Sequence, residues 1–280
     1  MVKVPGEQEI MYDFSRCKLC ASHSAHPTYH LKSTTIYVCA ECGFHFIDHL
    51  DIIPSGSQDD DTTTLDRKSL DYIDGRIDAQ SRQLRGNLRI VSRHRSPAGA
   101  HCLDIGAGAG LFPSLLAEAG AVVHGIEPQN LFREYALKRF GILLHRETID
   151  DRYWQQGFAG FFDIATLWDV IEHVNFPAET LRGVSAVTKP GGWLFLDTPR
   201  RDSLFYRICE WSYRLSGGSN RLLFESLYSP QPFRHKQLFT RSQLVKLVEG
   251  IGFTVVSLNS SIFRQYDRMV LVCRKSQDAR

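Results

Sequence analysis

No stretch of the 280-residue sequence approaches the roughly 18 uninterrupted apolar residues of a membrane span, and Met1 to Tyr12 lack the apolar centre of a secretory signal. The expected compartment is the cytoplasm. Excess charge is lacking too, since 33 Lys and Arg against 31 Asp and Glu leave only +2, so no global field advertises nucleic acid as a partner. There is no internal repeat, which excludes a solenoid. Cysteine is sparse: of seven, Cys102, Cys209 and Cys273 stand alone in apolar segments, and the others form two close pairs. That is not a disulfide framework. With 43% hydrophobic and 23% charged residues, the chain can bury the core of one large domain or of a domain plus a small module.

The two pairs read Cys17-Lys18-Leu19-Cys20 and, eighteen residues on, Cys39-Ala40-Glu41-Cys42. Two intervening residues fold each pair into a knuckle that chelates one ion, and the spacing falls in the range of four-cysteine zinc sites. Gly43 suits the backbone turn after the second knuckle, and Ala21 suits it less well after the first. Four sulfur ligands leave no open position for water or substrate, so the expected Zn2+ is structural. Histidines 23, 26, 30, 45 and 49 are spare ligands in type, but His-rich polar loops are more often simply solvated.

Residues 1–53 are therefore expected to form a zinc-binding module. Residues 54–66 follow as a linker with no apolar side chain before Leu65. From Leu70 the residues Ile73, Ile77, Leu84, Leu88 and Val91 recur at helical spacing, with Arg82, Arg85, Arg89 and Arg93 as a second stripe, until Pro97. This is a helix over 67–96. Apolar runs at 101–105, 121–126, 161–168 and 193–197 then alternate with helical patterns at 111–119, 129–140 and 178–187, the βαβ order of a parallel sheet covered on both faces. Residues 253–258 and 268–273 read as an antiparallel pair at its edge.

The run CLDIGAGAGLF ends a strand at Asp104 and turns through Gly106, Gly108 and Gly110 into a helix, whose free amides face a bound ligand. The third glycine comes one residue too early for the dinucleotide fingerprint, which disfavours a nicotinamide enzyme. Twenty-one residues beyond Gly106, Glu127 ends the next strand, where a carboxylate can accept both hydroxyls of a ribose.

DIGAGAG, HGIEP, WDVIEHV and KPGGWLFLDTP, in this order and spacing, resemble class I S-adenosylmethionine-dependent methyltransferases over roughly His101 to Arg274. The quinone, sugar and small-molecule branch is the nearest in pattern. The resemblance implies an α/β fold with a Rossmann-like seven-stranded methyltransferase sheet over residues 97–275, joined here to a small zinc-ribbon-like module. It implies S-adenosylmethionine as cofactor, with Asp104 and the three glycines on its methionine part, Glu127 on its ribose and Trp168 on the adenine or sulfonium side. ETIDD offers Glu147, Asp150 and Asp151 to the adenine, of which Asp150 is preferred. In quinone O-methyltransferases the positions of Asp169, Glu172 and His173 are associated with a divalent cation.

Methyl transfer needs the acceptor atom held in line and water excluded. If the acceptor is a hydroxyl, a base helps, and His173 and His235 are the candidates. The leading expectation is O- or C-methylation of a sugar, nucleotide sugar or secondary metabolite. Ribosomal RNA base methylation is the alternative, disfavoured because residues 1–54 hold four Lys and Arg against six acids. A third reading, an inert zinc-ribbon interaction protein, runs against the intact cofactor motifs. An insertion at about 199–238 is expected to be a helical lid, and residues 200–241 carry eight basic side chains against three acidic ones. Arg200, Arg201, Arg207 and Arg214 would then face an anionic acceptor, or the aromatic and arginine pattern of 200–228 would rest on an anionic membrane.

Overall fold

A computed structural model describes residues 12–51, 65–231, 234–261 and 267–277. The expected linker, residues 54–66, lies outside the described residues except for Leu65 and Asp66.

Three short strands open the chain, β1 (Ala25–His30), β2 (Thr35–Cys39) and β3 (His45–Ile47), paired as an antiparallel meander. The long helix α1 (Arg67–His94) begins where the Asp66 carboxylate accepts the amide of Ser69, and its stripe buries Ile73 and Val91. The alternating region follows as β4 (His101–Ile105), α2 (Leu111–Glu118), β5 (Val122–Ile126), α3 (Asn130–Phe140), α4 (Arg152–Gly157), β6 (Phe162–Trp168), α5 (Pro177–Val187) and β7 (Thr188–Pro199). The insertion supplies α6 (Leu204–Leu215), α7 (Leu222–Glu225) and β8 (Gln237–Leu238). The chain closes through α8 (Arg241–Gly250), β9 (Phe253–Ser261) and β10 (Arg268–Lys275).

The large sheet runs β5-β4-β6-β7-β10-β9. β4 to β7 are parallel, and β10 lies antiparallel between β7 and β9. Among the described residues the sheet has six strands where seven were expected. A single parallel bridge, Ile126 to His145, stands in the place of the seventh. His145 donates its amide to Gly125 and accepts that of Glu127. Pairing cannot run further, because Gly141 turns the chain out of α3 at φ 68° and Asp151 already caps α4 by accepting the Tyr153 amide.

The N-terminal sheet is not closed by N-terminal residues alone. Its order is β1-β2-β3-β8, so its fourth strand comes from the far end of the insertion. Phe44 and Phe239 meet at 5.0 Å between ring centres, and Cys17, Phe44 and Phe46 share one buried cluster with Leu103, Leu244 and Met269. Each fully buried phenylalanine contributes about 1.5–3 kcal/mol relative to exposure, so this seam is a true core. Helix α6 adds Tyr206 and Cys209 to a second cluster with Tyr29, Ile36 and Ile47.

Candidate active site and cysteine knuckles

The four cysteines converge as their spacing requires. Their sulfurs lie within 4.8 Å of one another, with Cys17 Sγ 3.6 Å from Cys42 Sγ and Cys20 Sγ 3.7 Å from Cys39 Sγ. A tetrahedral zinc with bonds of about 2.3 Å needs sulfur edges of about 3.8 Å. The set therefore fits zinc. Both knuckles end in left-handed backbone, at Ala21 (φ 61°) and at Gly43 (φ 65°). Of the spare histidines, His23 and His49 lie beside Asp13 and Asp51, and His45 meets the Tyr206 hydroxyl at 2.8 Å through Nδ1 and the Arg201 guanidinium at 3.1 Å through Nε2. The second knuckle is tied to the large domain, since Gln243 and Arg201 donate to the carbonyls of Cys42 and Gly43.

At the carboxyl ends of the parallel strands, the glycine loop is packed too tightly for other residues. A Cβ at Gly106 would lie 2.4 Å from Val170 Cγ2, and one at Gly110 would lie 2.6 Å from Ala136 Cβ, both at positive φ. Asp104 is buried and accepts the Thr166 hydroxyl, and burial pushes its carboxyl up to about 7. Glu127 is also buried, with its two oxygens accepting the amides of Gly108 at 2.8 Å and Gln129 at 2.9 Å. Burial raises its pKa, opposed by those two amides and by Arg133 and Arg76. A carboxylate offers about four acceptor sites, so two remain for a diol.

Beside the loop lies a cavity of about 570 Å³ walled by Ile105, Gly106, Glu127, Asp150, Val170 and Phe176, among others. Asp150, not Asp151, lines it, because Asp151 is committed to capping α4. Trp168 stands off this wall, packed edge-on to Phe112 at 5.6 Å. Gly108 and Gly110 shape the loop without lining the cavity. A larger cavity, about 1260 Å³, adjoins the first and shares Gln129, Asp169 and His173 with it. Its walls come from α1 (Tyr72, Arg76, Arg82), the segment after α6 (Glu225 to Ser229, Arg234, His235) and Arg268.

His173 and His235 meet at that junction, with ring centres 4.9 Å apart. Burial lowers both, His235 to about 4 with His173 as second cause, while Asp169 pulls the other way. Both imidazoles are thus neutral at pH 7 and able to take a proton. His235 Nδ1 lies 2.9 Å from the Leu227 carbonyl.

The motif reading did not find Arg268. Its guanidinium reaches Asp169 at 2.5 Å, Asp197 at 3.1 Å and Glu172 at 3.2 Å, a fan of three carboxylates around one buried cation, with Asp169 at its half-exposed edge. Arg268 holds Asp169 below the usual carboxylate range against the opposing effect of burial. Burial pushes Glu172 and Asp197 up, with Arg268 opposing. The available signal was a lone arginine opening the apolar run of the last strand. Asp51 was missed as well. Its backbone exchanges two hydrogen bonds of 2.8 Å with the side chain of Asn175, which fastens the end of the N-terminal segment to the wall of the smaller cavity.

The lid arginines are corrected by the structure. Arg200 pairs with Asp267 at 2.9 Å, Arg201 serves the second knuckle, Arg214 donates to the Tyr29 hydroxyl at 3.0 Å, and Arg207 is exposed. None of the four lines either cavity, because α6 packs onto the N-terminal sheet. Arg76, Arg82 and Arg234 line the larger cavity instead.

The glycine loop, the acid closing the second strand and the sheet order define a methyltransferase domain. Residues 78–258 match the methyltransferase-domain family, and the chain belongs to it. It is 32% identical over 128 residues to the ubiquinone biosynthesis O-methyltransferase of Thiobacillus denitrificans, covering 43% of this chain and 53% of that protein. The counterpart from Xanthomonas axonopodis is 36% identical over 119 residues, covering 41% and 49%. The chain spans about half the length of the curated relatives it matches. Among solved structures, the 1,6-didemethyltoxoflavin-N1-methyltransferase of Burkholderia thailandensis, which holds S-adenosylhomocysteine, covers 90% of this chain and all (100%) of its own at TM-score 0.51 and 18% identity. An S-adenosylmethionine-dependent methyltransferase of Methanosarcina mazei covers 68% and 98% at TM-score 0.54 and 17% identity. These structures share the fold.

Proposed function

We propose that this chain transfers a methyl group from S-adenosylmethionine to a hydroxyl oxygen of a small molecule. The observation that carries the reading is the meeting of two cavities at Asp169 and His173, one beside the glycine loop and Glu127, the other beside His235. When bound, S-adenosylmethionine supplies a methyl on a positively charged sulfur. Glu127 and Asp150 would hold its ribose and adenine, while Gly106 and the turn kept by Asp104, Gly108 and Gly110 would hold its methionine part. Trp168 would act only by backing Phe112. His173 or His235 would take the acceptor's proton as the oxygen attacks the methyl and the cofactor's sulfur leaves with the bonding pair. Asp169, oriented by Arg268, faces the same point.

The relatives' names favour a hydroxylated ring as acceptor, and a sugar or nucleotide sugar remains within the class. Arg76, Arg82 and Arg234 suit an anionic group on it. We further assign residues 1–53 to a zinc-held module, 54–66 to a linker, 67–96 to a helix of the acceptor wall and 97–275 to catalysis in the cytoplasm. No described helix is long and apolar enough to cross a membrane. A methyl-donor assay with catechols, nucleotide sugars and RNA in parallel tests the reading. Transfer to a small hydroxylated acceptor that is lost in His173→Gln with His235→Gln supports it. Transfer to RNA alone, or no binding of S-adenosylmethionine by calorimetry, overturns it.

A further inference from the structure

Helix α6 turns one face into the protein and leaves another bare. Tyr206 and Cys209 are buried against the N-terminal sheet, whereas Leu204, Ile208, Trp211 and Leu215 are 69%, 44%, 62% and 90% exposed. At about 100° per residue these four fall within an arc of about 60°, a continuous apolar ridge three turns long. Trp154 and Trp168 are buried and Trp193 is half-buried, so the exposed indole of Trp211 stands apart from the other three. Arg207 and Arg214 flank the ridge on one side, and Leu222 on α7 is 68% exposed beyond it. A ridge of apolar side chains with a tryptophan and flanking arginines is the pattern of a helix lying in a membrane interface.

We infer that α6 docks this protein on an anionic lipid bilayer, with Leu204, Ile208, Trp211 and Leu215 entering the headgroup boundary and Arg207 meeting lipid phosphates. Two observations favour a bilayer over a protein partner. The ridge is one helix wide, whereas a stable protein interface engages roughly 20–30 residues a side. Of the basic side chains in the insertion, Arg207 and Arg214 stand exposed beside the ridge itself, which complements an anionic surface. The consequence for access is direct, because Leu227, Tyr228 and Ser229 of the same insertion line the larger cavity. Docking would bring its mouth close to the lipid, within reach of an acceptor that carries an apolar tail.

Sedimentation of the full chain with vesicles tests this without reading methyl transfer, so its failure is distinct from failure of the proposed reaction. The chain should pellet with phosphatidylcholine vesicles containing phosphatidylglycerol and about tenfold less with phosphatidylcholine alone. Trp211→Glu combined with Leu215→Glu should reduce the bound fraction about tenfold while leaving the melting curve and S-adenosylmethionine affinity unchanged. Should that pair fail to fold, Arg207→Glu, a single surface change, should still weaken binding to the anionic vesicles alone. Equal pelleting with both vesicle types, or unchanged pelleting of the variants, overturns the proposal. So does a wild-type dimer in analytical ultracentrifugation that Trp211→Glu dissociates, which would seat a second copy on the ridge.

Discussion

Two clusters in this molecule each bring four potential metal ligands within 4.8 Å of one another: Cys17, Cys20, Cys39 and Cys42 in the N-terminal sheet, and Asp169, Glu172, His173 and His235 between the cavities. They differ in what balances the charge. Four thiolates gather on a knuckle geometry that matches the edges of a zinc tetrahedron, so their cation is to be bound from outside. At the second cluster the chain has built in a cation, Arg268, which takes up one oxygen each of Asp169, Glu172 and Asp197. A guanidinium is planar and always charged, so it fixes the direction of those carboxylates as well as neutralising them. The comparison teaches that closeness of ligand types does not by itself make a metal site. What else is bonded to them decides it.

The most severe test removes the built-in cation. Arg268→Met should cost about 3–5 kcal/mol at pH 7, since the buried carboxylates of Glu172 and Asp197 would then face each other and Asp169 with no cation between them. The loss should shrink on acidification, because Glu172 and Asp197, already pushed up by burial, would take protons first. Urea denaturation at pH 7 and pH 5 measures both, and midpoints equal to wild type at pH 7 would show that the arginine is not what balances the cluster.

Next in size is removal of the external cation. Chelation, or Cys39→Ser with Cys42→Ser, should lower the melting temperature by about 10 °C, and chelation should lower that of Arg268→Met by a similar further amount, since the two clusters are separate. Zinc analysis gives the stoichiometry, and one zinc per chain is expected. Two per chain would move the second cluster into the same category as the first.

A smaller effect is expected at Glu127, a buried carboxylate balanced by two amides rather than by a cation. Glu127→Ala should weaken S-adenosylmethionine by about 1.5–3 kcal/mol in calorimetry, with little change in zinc content. Unchanged affinity would assign the residue to loop geometry alone.

The mildest test uses protons. His235, ordinarily near 6.5, is held at about 4 by burial and then by His173. A depressed histidine gains its proton only at lower pH, so methyl transfer should stay level from pH 8 to pH 6 and fall below pH 5. The unfolded chain protonates from pH 6.5 downward, so the stability from this group is present above 6.5 and is lost as pH falls toward 4. An activity limb centred on 6.5 would mean that a solvated histidine does the work.

Most of the large sheet was legible because buried parallel strands are unbroken apolar runs with glycine turns between them, and β4, β5 and β6 lie within a residue of their expected starts. β7 was read five residues late at its start, since Lys189-Pro190-Gly191-Gly192 looks like a turn, and two residues short at its end. The strands β1, β2, β3 and β8 escaped notice, all being brief, and β3 and β8 also pair with each other from opposite ends of the chain. The smaller cavity could be read from Gly106, Glu127 and Asp150, all within one stretch of βαβ units. The larger one could not. Its walls are collected from α1, the insertion and the start of β10, and no local pattern says that Arg76, Arg234 and Arg268 face a common space.

The pairing of β3 with β8 joins His45 to Leu238 across most of the chain. The four cysteines are made close together, between positions 17 and 42, so the knuckles can collect their ion well before β8 is made. Phe44, whose ring ends against Phe239, must then wait until nearly two hundred further residues have been made before its cover arrives. During synthesis, therefore, β1 to β3 would wait as a meander with the edge of β3 open, and the sheet is finished only when β8 arrives.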